Sequence, residues 1–186
     1  MILPITAYGD PILRKKALQV KKDQEGLQEL ISDMFETMYA AAGVGLAAPQ
    51  VGKSLRIFIT DGKPFEEDEK DLGDFKKVFI NAQMLDEEGD MWQFNEGCLS
   101  IPGIREDVTR CKHVRLRYYD ENFKEHTATF TGLAARIIQH EYDHIEGTLF
   151  IDKLSPFKKR LLKGKLTDIS LGKTDVNYKM RFHQKK

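Results

Sequence analysis

Thr131-Gly-Leu-Ala-Ala-Arg-Ile-Ile-Gln-His-Glu-Tyr-Asp-His-Ile-Glu-Gly147 is the stretch on which the fold turns. Thr131 suits a helix N-cap, Leu133, Ile137, His140 and His144 recur at helical spacing, and Gly147 supplies a stop. The pattern predicts a short helix with two imidazoles on its inward stripe. At i and i+4 their Cβ atoms lie ~5–6 Å apart, near enough for both rings to reach one ion at ~2 Å. Glu141 stands one position round. A carboxylate there can take a proton from an ion-activated water and later return it to a leaving group, which is the hydrolytic logic of a His-Glu-x-x-His helix. Two core or surface histidines on an amphipathic helix satisfy the same pattern, so the motif alone leaves both readings open.

Around this helix, 186 residues with 41% hydrophobic and 31% charged content suit one domain with a full core. The start Met1-Ile-Leu-Pro-Ile-Thr6 lacks a basic region followed by a long apolar run. No later stretch is apolar enough to span a bilayer, which predicts a cytoplasmic protein with no membrane partner. Two cysteines, Cys98 and Cys111, imply no disulfide framework and leave either free to act as a ligand. The formal net charge is zero, but residues 153–186 carry eleven Lys or Arg against Asp168 and Asp175, so that +9 there offsets −9 in residues 1–152.

Upstream, Leu27, Leu30, Ile31, Met34 and Met38 predict an amphipathic helix over about 23–42, with its methionines in the core. It runs into Gly43-Val-Gly-Leu-Ala-Ala-Pro-Gln-Val-Gly52, where glycines let backbone approach a ligand and Gln50 offers a neutral donor. Leu55–Thr60, Lys77–Asn81 and Met91–Phe94 read as strands, with the acidic segment from Asp61 to Asp74 as a solvated loop. Asn95–Gly103 is then a shaped connection, and Val108–Tyr119 with Glu125–Phe130 resembles a β-hairpin leading into the histidine helix. Thr148–Ile151 is expected as a short strand, and Pro156 opens a helix to about Leu166. Tyr178–Phe182 alternates and suits an edge strand. The fold class is α+β, with mixed or antiparallel sheets around the central helix and a helix near each terminus. Residues 1–166 are expected to form one catalytic metallohydrolase domain, with 167–186 a basic extension.

His140 and His144 need a third ligand that leaves one coordination position open. Candidates are Cys98, Cys111, His113, His126 and acidic residues. Cys98 is favoured because Gly97 lets backbone and thiolate approach an ion, whereas Cys111 and His113 fall in a strand. A thiolate with two imidazoles admits zinc, iron or cobalt.

Three motifs in order, Gly43-Val-Gly-Leu-Ala-Ala-Pro-Gln50, Glu96-Gly-Cys-Leu-Ser100 and Gln139-His-Glu-Tyr-Asp-His144, make the chain resemble the bacterial-type peptide deformylases. Asp10–Ala17 extends the likeness, which covers about residues 5–165. The resemblance implies that Cys98, His140 and His144 bind the metal with water as fourth ligand, and that Glu141 is general base then acid. It also implies that Gln50 and the Leu99 N–H stabilise the oxyanion. Gly43, Val44 and Gly45 would meet the substrate, with Val44 and Ile137 walling a methionine pocket, Arg105 on its border, and Glu96 paired with Arg110. The substrate implied is the N-formylmethionyl end of a new polypeptide. The cofactor the resemblance implies is iron(II), replaceable by zinc, nickel or cobalt during isolation. Tyr142 and Val44 are mild departures from the family pattern.

The basic stretch Lys158, Lys159, Arg160, Lys163 and Lys165, continued by Lys173, Lys179, Arg181, Lys185 and Lys186, suits contact with ribosomal RNA, or equally a solvated charged surface. Two other functions fit parts of the pattern: a zinc metallopeptidase, which would not need Cys98, and a non-catalytic metal- or RNA-binding protein.

Overall fold

A computed structural model describes residues 1–183. The chain opens with a two-residue strand, β1 (Ile5–Thr6), and helix α1 (Leu27–Ala40), then lays down strands β2 (Gly45–Ala47), β3 (Ile57–Asp61), β4 (Lys76–Cys98), β5 (Ile101–Tyr119) and β6 (Glu125–Thr131). Helix α2 (Gly132–Ile145) carries the two histidines, and helix α3 (Pro156–Ser170) and strand β7 (Met180–Arg181) follow. Strands β2 to β6 form one antiparallel sheet in chain order. The α+β class expected from the sequence is the one observed.

Every residue of β3 is buried, because both faces of the sheet are covered there. Ile57 and Ile59 pack with Ile31, Met34 and Met38 of α1, while Phe58 packs with Phe79, Leu133 and Ile138 on the α2 side. Phe58 and Phe79 stack with ring centroids 4.6 Å apart. The methionines of α1 are core residues, as their spacing predicts. A third apolar cluster joins α3 to the start of the chain and to Ile101 and Phe150.

Helix α2 begins where expected but is capped differently. Thr131 holds the N-cap position without making a side-chain cap. Instead the Glu69 carboxylate accepts the Leu133 N–H at 3.2 and 3.3 Å. At the other end Gly147 has φ +76°, and a Cβ there would sit 2.6 Å from the Arg14 carbonyl oxygen, so a side chain is excluded on two grounds.

Several expectations are corrected. Lys77–Asn81 and Met91–Phe94 are parts of one strand, β4, which runs through the acidic stretch 86–90 with register shifts after Ile80, Met84 and Glu88. Backbone pairing to β5 holds this stretch whatever its side chains prefer. The acidic segment 61–74 is not simply solvated. It makes two tight helical turns, at Lys63–Phe65 and Lys70–Leu72, and buries Leu72, with Phe75 buried just after it. The shaped connection narrows to Leu99 and Ser100, the two residues between β4 and β5, with Cys98 paired to Ile101. Residues 148–151 form no strand. The Asp152 carboxylate accepts the Leu149 N–H at 2.8 Å and closes a helical turn over Phe150–Lys153.

Ser155 caps α3 by accepting the Lys158 N–H at 3.3 Å, and the helix passes Leu166 without a break. The expected edge strand near the C-terminus exists as β7, but it pairs parallel with β1 in a separate two-stranded sheet. Lys185 and Lys186 of the basic tail lie outside the described residues.

The remote cap yields a test. Glu69→Ala removes an acceptor from the first turn of α2 and should cost about 1 kcal/mol, lowering the thermal midpoint by roughly 2–4 °C. An unchanged midpoint in a melt followed by circular dichroism would show that Glu69 does not cap the helix.

Candidate active site and metal centre

Cys98 ends β4, and His140 and His144 lie one turn apart on α2, so the β4–β5 hairpin tip meets the helix at three potential ligands. One donor atom from each lies within 4.8 Å of the other two. Cys98 Sγ is 3.4 Å from His144 Nε2. The neighbouring chemistry fits a cation. Glu141 Oε2 is buried without a hydrogen-bond partner among the described residues, and an uncompensated buried polar atom is costly unless something answers it.

The imidazole of His140 is oriented from behind. Its Nδ1 lies 3.0 Å from Glu96 Oε2, which leaves Nε2 to face the cluster. Glu96 is itself the hub of a buried network. Arg110 grips it with two hydrogen bonds, at 2.7 and 2.9 Å, and Arg136 adds a third at 2.8 Å. Arg110 also donates to Asp143 Oδ2 at 2.7 Å, and Arg136 donates to the carbonyls of Trp92 and Val108. Burial alone would raise the Glu96 carboxyl, but its bonds with Arg110 and His140 outweigh that and hold it well below the usual carboxylate range.

The two buried carboxylates, Glu96 and Glu141, are set to opposite ends of the scale. Burial pushes Glu141 up to about 7, against the opposing pull of His140. Burial, then the nearby His140, holds His144 well below its ordinary value, in the neutral form that can ligate. Gln50 is 2% exposed, and its Oε1 accepts the Ala47 N–H at 2.8 Å. That turns its amide nitrogen toward Cys98 Sγ at 3.5 Å and Ser100 Oγ at 3.4 Å. Gly45 lies against Glu141, and a Cβ on it would sit 2.5 Å from Glu141 Oε1.

A cleft of about 930 Å³ opens over these groups. Gly43, Val44, Gly45, Gln50, Cys98, Leu99, Arg105, Ile137, His140 and Glu141 all border it, and His144 stands behind Cys98. Ile137 is buried and Val44 half-buried in the wall, while Arg105 is an exposed rim residue tied to Asn95. The Glu96–Arg110 pairing is present. Arg136 and Asp143 were not singled out from the sequence. Their signal was available, because Arg136 sits four residues before His140 and Asp143 three after, on the same side of the helix. Asp175, Val176, Asn177 and Tyr178 also border the cleft, and no spacing pattern announced them.

A thiol and two imidazoles beside a buried carboxylate are the donor set of a metal-assisted hydrolase. The family description "Polypeptide deformylase" matches residues 2–160. A peptide deformylase of Christiangramia forsetii is 59% identical, over 98% of this chain and 96% of that protein. Another, from Flavobacterium psychrophilum, is 54% identical over the full length of both. The crystal structure of a peptide deformylase from Legionella pneumophila aligns with a TM-score of 0.79 at 41% identity, covering 90% of this chain and 95% of that one. The chain belongs to the polypeptide deformylase family. It is a metal-dependent hydrolase that removes the formyl group from the N-terminal formylmethionine of newly made polypeptides, and the peptidase and non-catalytic alternatives fall away.

The raised carboxyl of Glu141 has a thermodynamic consequence in metal-free protein. Between its ordinary value of 4.5 and about 7 the folded chain binds this proton more tightly than the unfolded chain does. Its contribution to stability is therefore full below that window and is lost as pH rises through it. Glu141→Gln should raise the thermal midpoint of the metal-free protein at pH 8 but leave it nearly unchanged at pH 4.5. An equal effect at both pH values would contradict the shifted carboxyl.

Proposed function

We propose that Cys98, His140 and His144 hold one divalent cation and that Glu141 moves the proton during hydrolysis of the formyl amide. The observation that carries this is the convergence of three donor atoms within 4.8 Å, beside a buried carboxylate oxygen with no partner among the described residues. The donor set suits iron, zinc, nickel or cobalt. We assign iron(II) in the cell, on the family resemblance, with the other ions able to replace it in isolated protein. Such an ion supplies Lewis acidity toward the formyl oxygen and toward water.

The chain's own groups do the rest. Glu141 accepts the proton of the attacking water as its oxygen adds to the formyl carbon. The carboxyl then passes that proton to the amine nitrogen as the C–N bond breaks, leaving formate and a free amino terminus. Gln50 Nε2 and the Leu99 N–H donate to the developing oxyanion, and the fixed Gln50 amide needs no reorientation to do so. Gly43 and Gly45 let the substrate backbone lie close to Glu141. Val44 and Ile137 wall the methionine side chain, with Arg105 at the rim.

The test is formate release from a formyl-Met tripeptide, with protein prepared without oxygen and loaded with iron(II). Wild type should turn over, and Glu141→Ala should bind the ion while losing at least about 10²-fold in kcat. Retained turnover in the variant would remove Glu141 from its role.

We further propose that the enzyme works in the cytoplasm, where new chains emerge, and that α3 meets ribosomal RNA. No helix among the described residues is long and apolar enough to cross a membrane. Lys159, Arg160, Lys163 and Lys165 stand exposed on α3, which supports an electrostatic contact. Reversing Lys159, Arg160 and Lys163 to Glu should abolish co-sedimentation with ribosomes at low salt while leaving tripeptide turnover intact. Undiminished co-sedimentation would sink the contact.

A further inference from the structure

Leu99 and Ser100 are the whole of the turn between β4 and β5, so the Leu99 N–H is held by no ladder of its own. The Cys98–Ile101 pair closes the turn, and bonds from outside the hairpin also hold it. Two of these come from opposite ends of the chain. The Tyr8 N–H donates to the Ser100 carbonyl at 2.8 Å, and the Tyr178 hydroxyl donates to the Leu99 carbonyl at 2.8 Å.

Tyr178 is brought there by a specific path. After α3 the chain turns back, and residues 175–178 border the cleft. Two residues later it is pinned as β7 against β1, with the Ile5 N–H donating to the Lys179 carbonyl and the Ala7 N–H to the Arg181 carbonyl, both at 2.8 Å. The Arg181 guanidinium adds bonds to Thr6 Oγ1 at 3.2 Å and Asp10 Oδ2 at 3.4 Å. The same short sheet therefore anchors both clamps on the turn, Tyr8 two residues after β1 and Tyr178 two residues before β7.

We propose that Tyr178 is a positioning residue for deformylation: its hydroxyl fixes the Leu99–Ser100 peptide and so restricts rotation about the Leu99 Cα, which keeps the Leu99 N–H, on the preceding Cys98–Leu99 peptide, pointed at the oxyanion. This rests on the oxyanion role given above to Leu99. Tyr178 acts through the turn, and its ring forms part of the cleft wall beyond it. Because a donor of this kind acts on the transition state, loosening it lowers kcat and spares ground-state binding.

The experiment compares wild type, Tyr178→Phe and Arg181→Ala as full-length, iron-loaded proteins, with kcat and KM for a formyl-Met tripeptide, metal content and thermal midpoint. Tyr178→Phe keeps the ring and removes only the hydroxyl. Loss of a complete oxyanion donor costs about 10²–10³ in kcat, so a donor left in place but unclamped should cost about tenfold. KM should stay within about twofold and metal content should match wild type. Arg181→Ala, which frees the anchor of β7 and leaves Tyr178 intact, should lower kcat in the same direction by less.

A wild-type kcat in Tyr178→Phe overturns the proposal. So does a raised KM with kcat preserved, which would make Tyr178 a wall and nothing more, and so does a loss that merely tracks metal content or folded fraction. In each case wild type still releases formate, so the deformylase reading stands. Only the absence of formate from iron-loaded wild type would remove that reading.

Discussion

The buried charge network centred on Glu96 is the interaction on which the site depends. Its members come from three elements: Glu96 from β4, Arg110 from β5, and Arg136, His140 and Asp143 from α2. Desolvating a carboxylate and two guanidiniums is expensive, and the cost is recovered only when every partner is in place. Arg110 and Arg136 balance Glu96 and Asp143 in formal charge. Removing Glu96 leaves buried guanidinium charge uncompensated, at a cost of about 3–5 kcal/mol, whereas Asp143 is half-buried, also meets Lys153 at 3.4 Å and contributes less. The network therefore admits one alignment of hairpin on helix, and that alignment sets Cys98 against His140 and His144. Stability and ligand geometry are thus imposed by the same bonds.

This arrangement also explains how two carboxylates on neighbouring elements acquire opposite characters. Glu96 is surrounded by donors and stays ionised, so it can orient an imidazole permanently. Glu141 is buried with far less compensation, and its carboxyl rises to about 7, where taking up and giving back a proton are both cheap. Gly45 contributes by absence, since any side chain there would occupy the space of Glu141 Oε1. The Glu141 carboxylate is consequently shielded by backbone on one side and borders the cleft on the other.

Much of this was legible in the sequence because it is local. Helical spacing in α1 and α2, the placing of His140 and His144 on one face, and the glycines around Val44 and Cys98 are all short-range patterns. What escaped was long-range. Glu69 caps α2 from a segment read as solvated, and nothing within its own neighbourhood marks it as a cap. The continuity of β4 through 86–90 is decided by its partner strand. Phe150 to Lys153 turn helically because one carboxylate, Asp152, answers one N–H, a bond that outweighs the strand preference of Leu149, Phe150 and Ile151. Arg136 is a different case: its spacing from His140 is visible, but a charged residue on an apolar stripe reads as an interruption until its buried partners are known.

The chain ends illustrate the same limit most sharply. Composition marks residues beyond 153 as a basic surface, and for the exposed face of α3 that description is adequate. Composition carries no information about return, yet Tyr178 reaches a carbonyl 79 residues earlier in the chain. Two residues of β1 and two of β7 make a sheet too small to be stable alone. It persists because Ile5 is buried and Ala7 and Met180 pack into the α3 cluster, so the apolar contact between the chain's two ends holds a polar contact at the site. An element that looks peripheral by length and by charge is in this way mechanically continuous with the turn that follows Cys98.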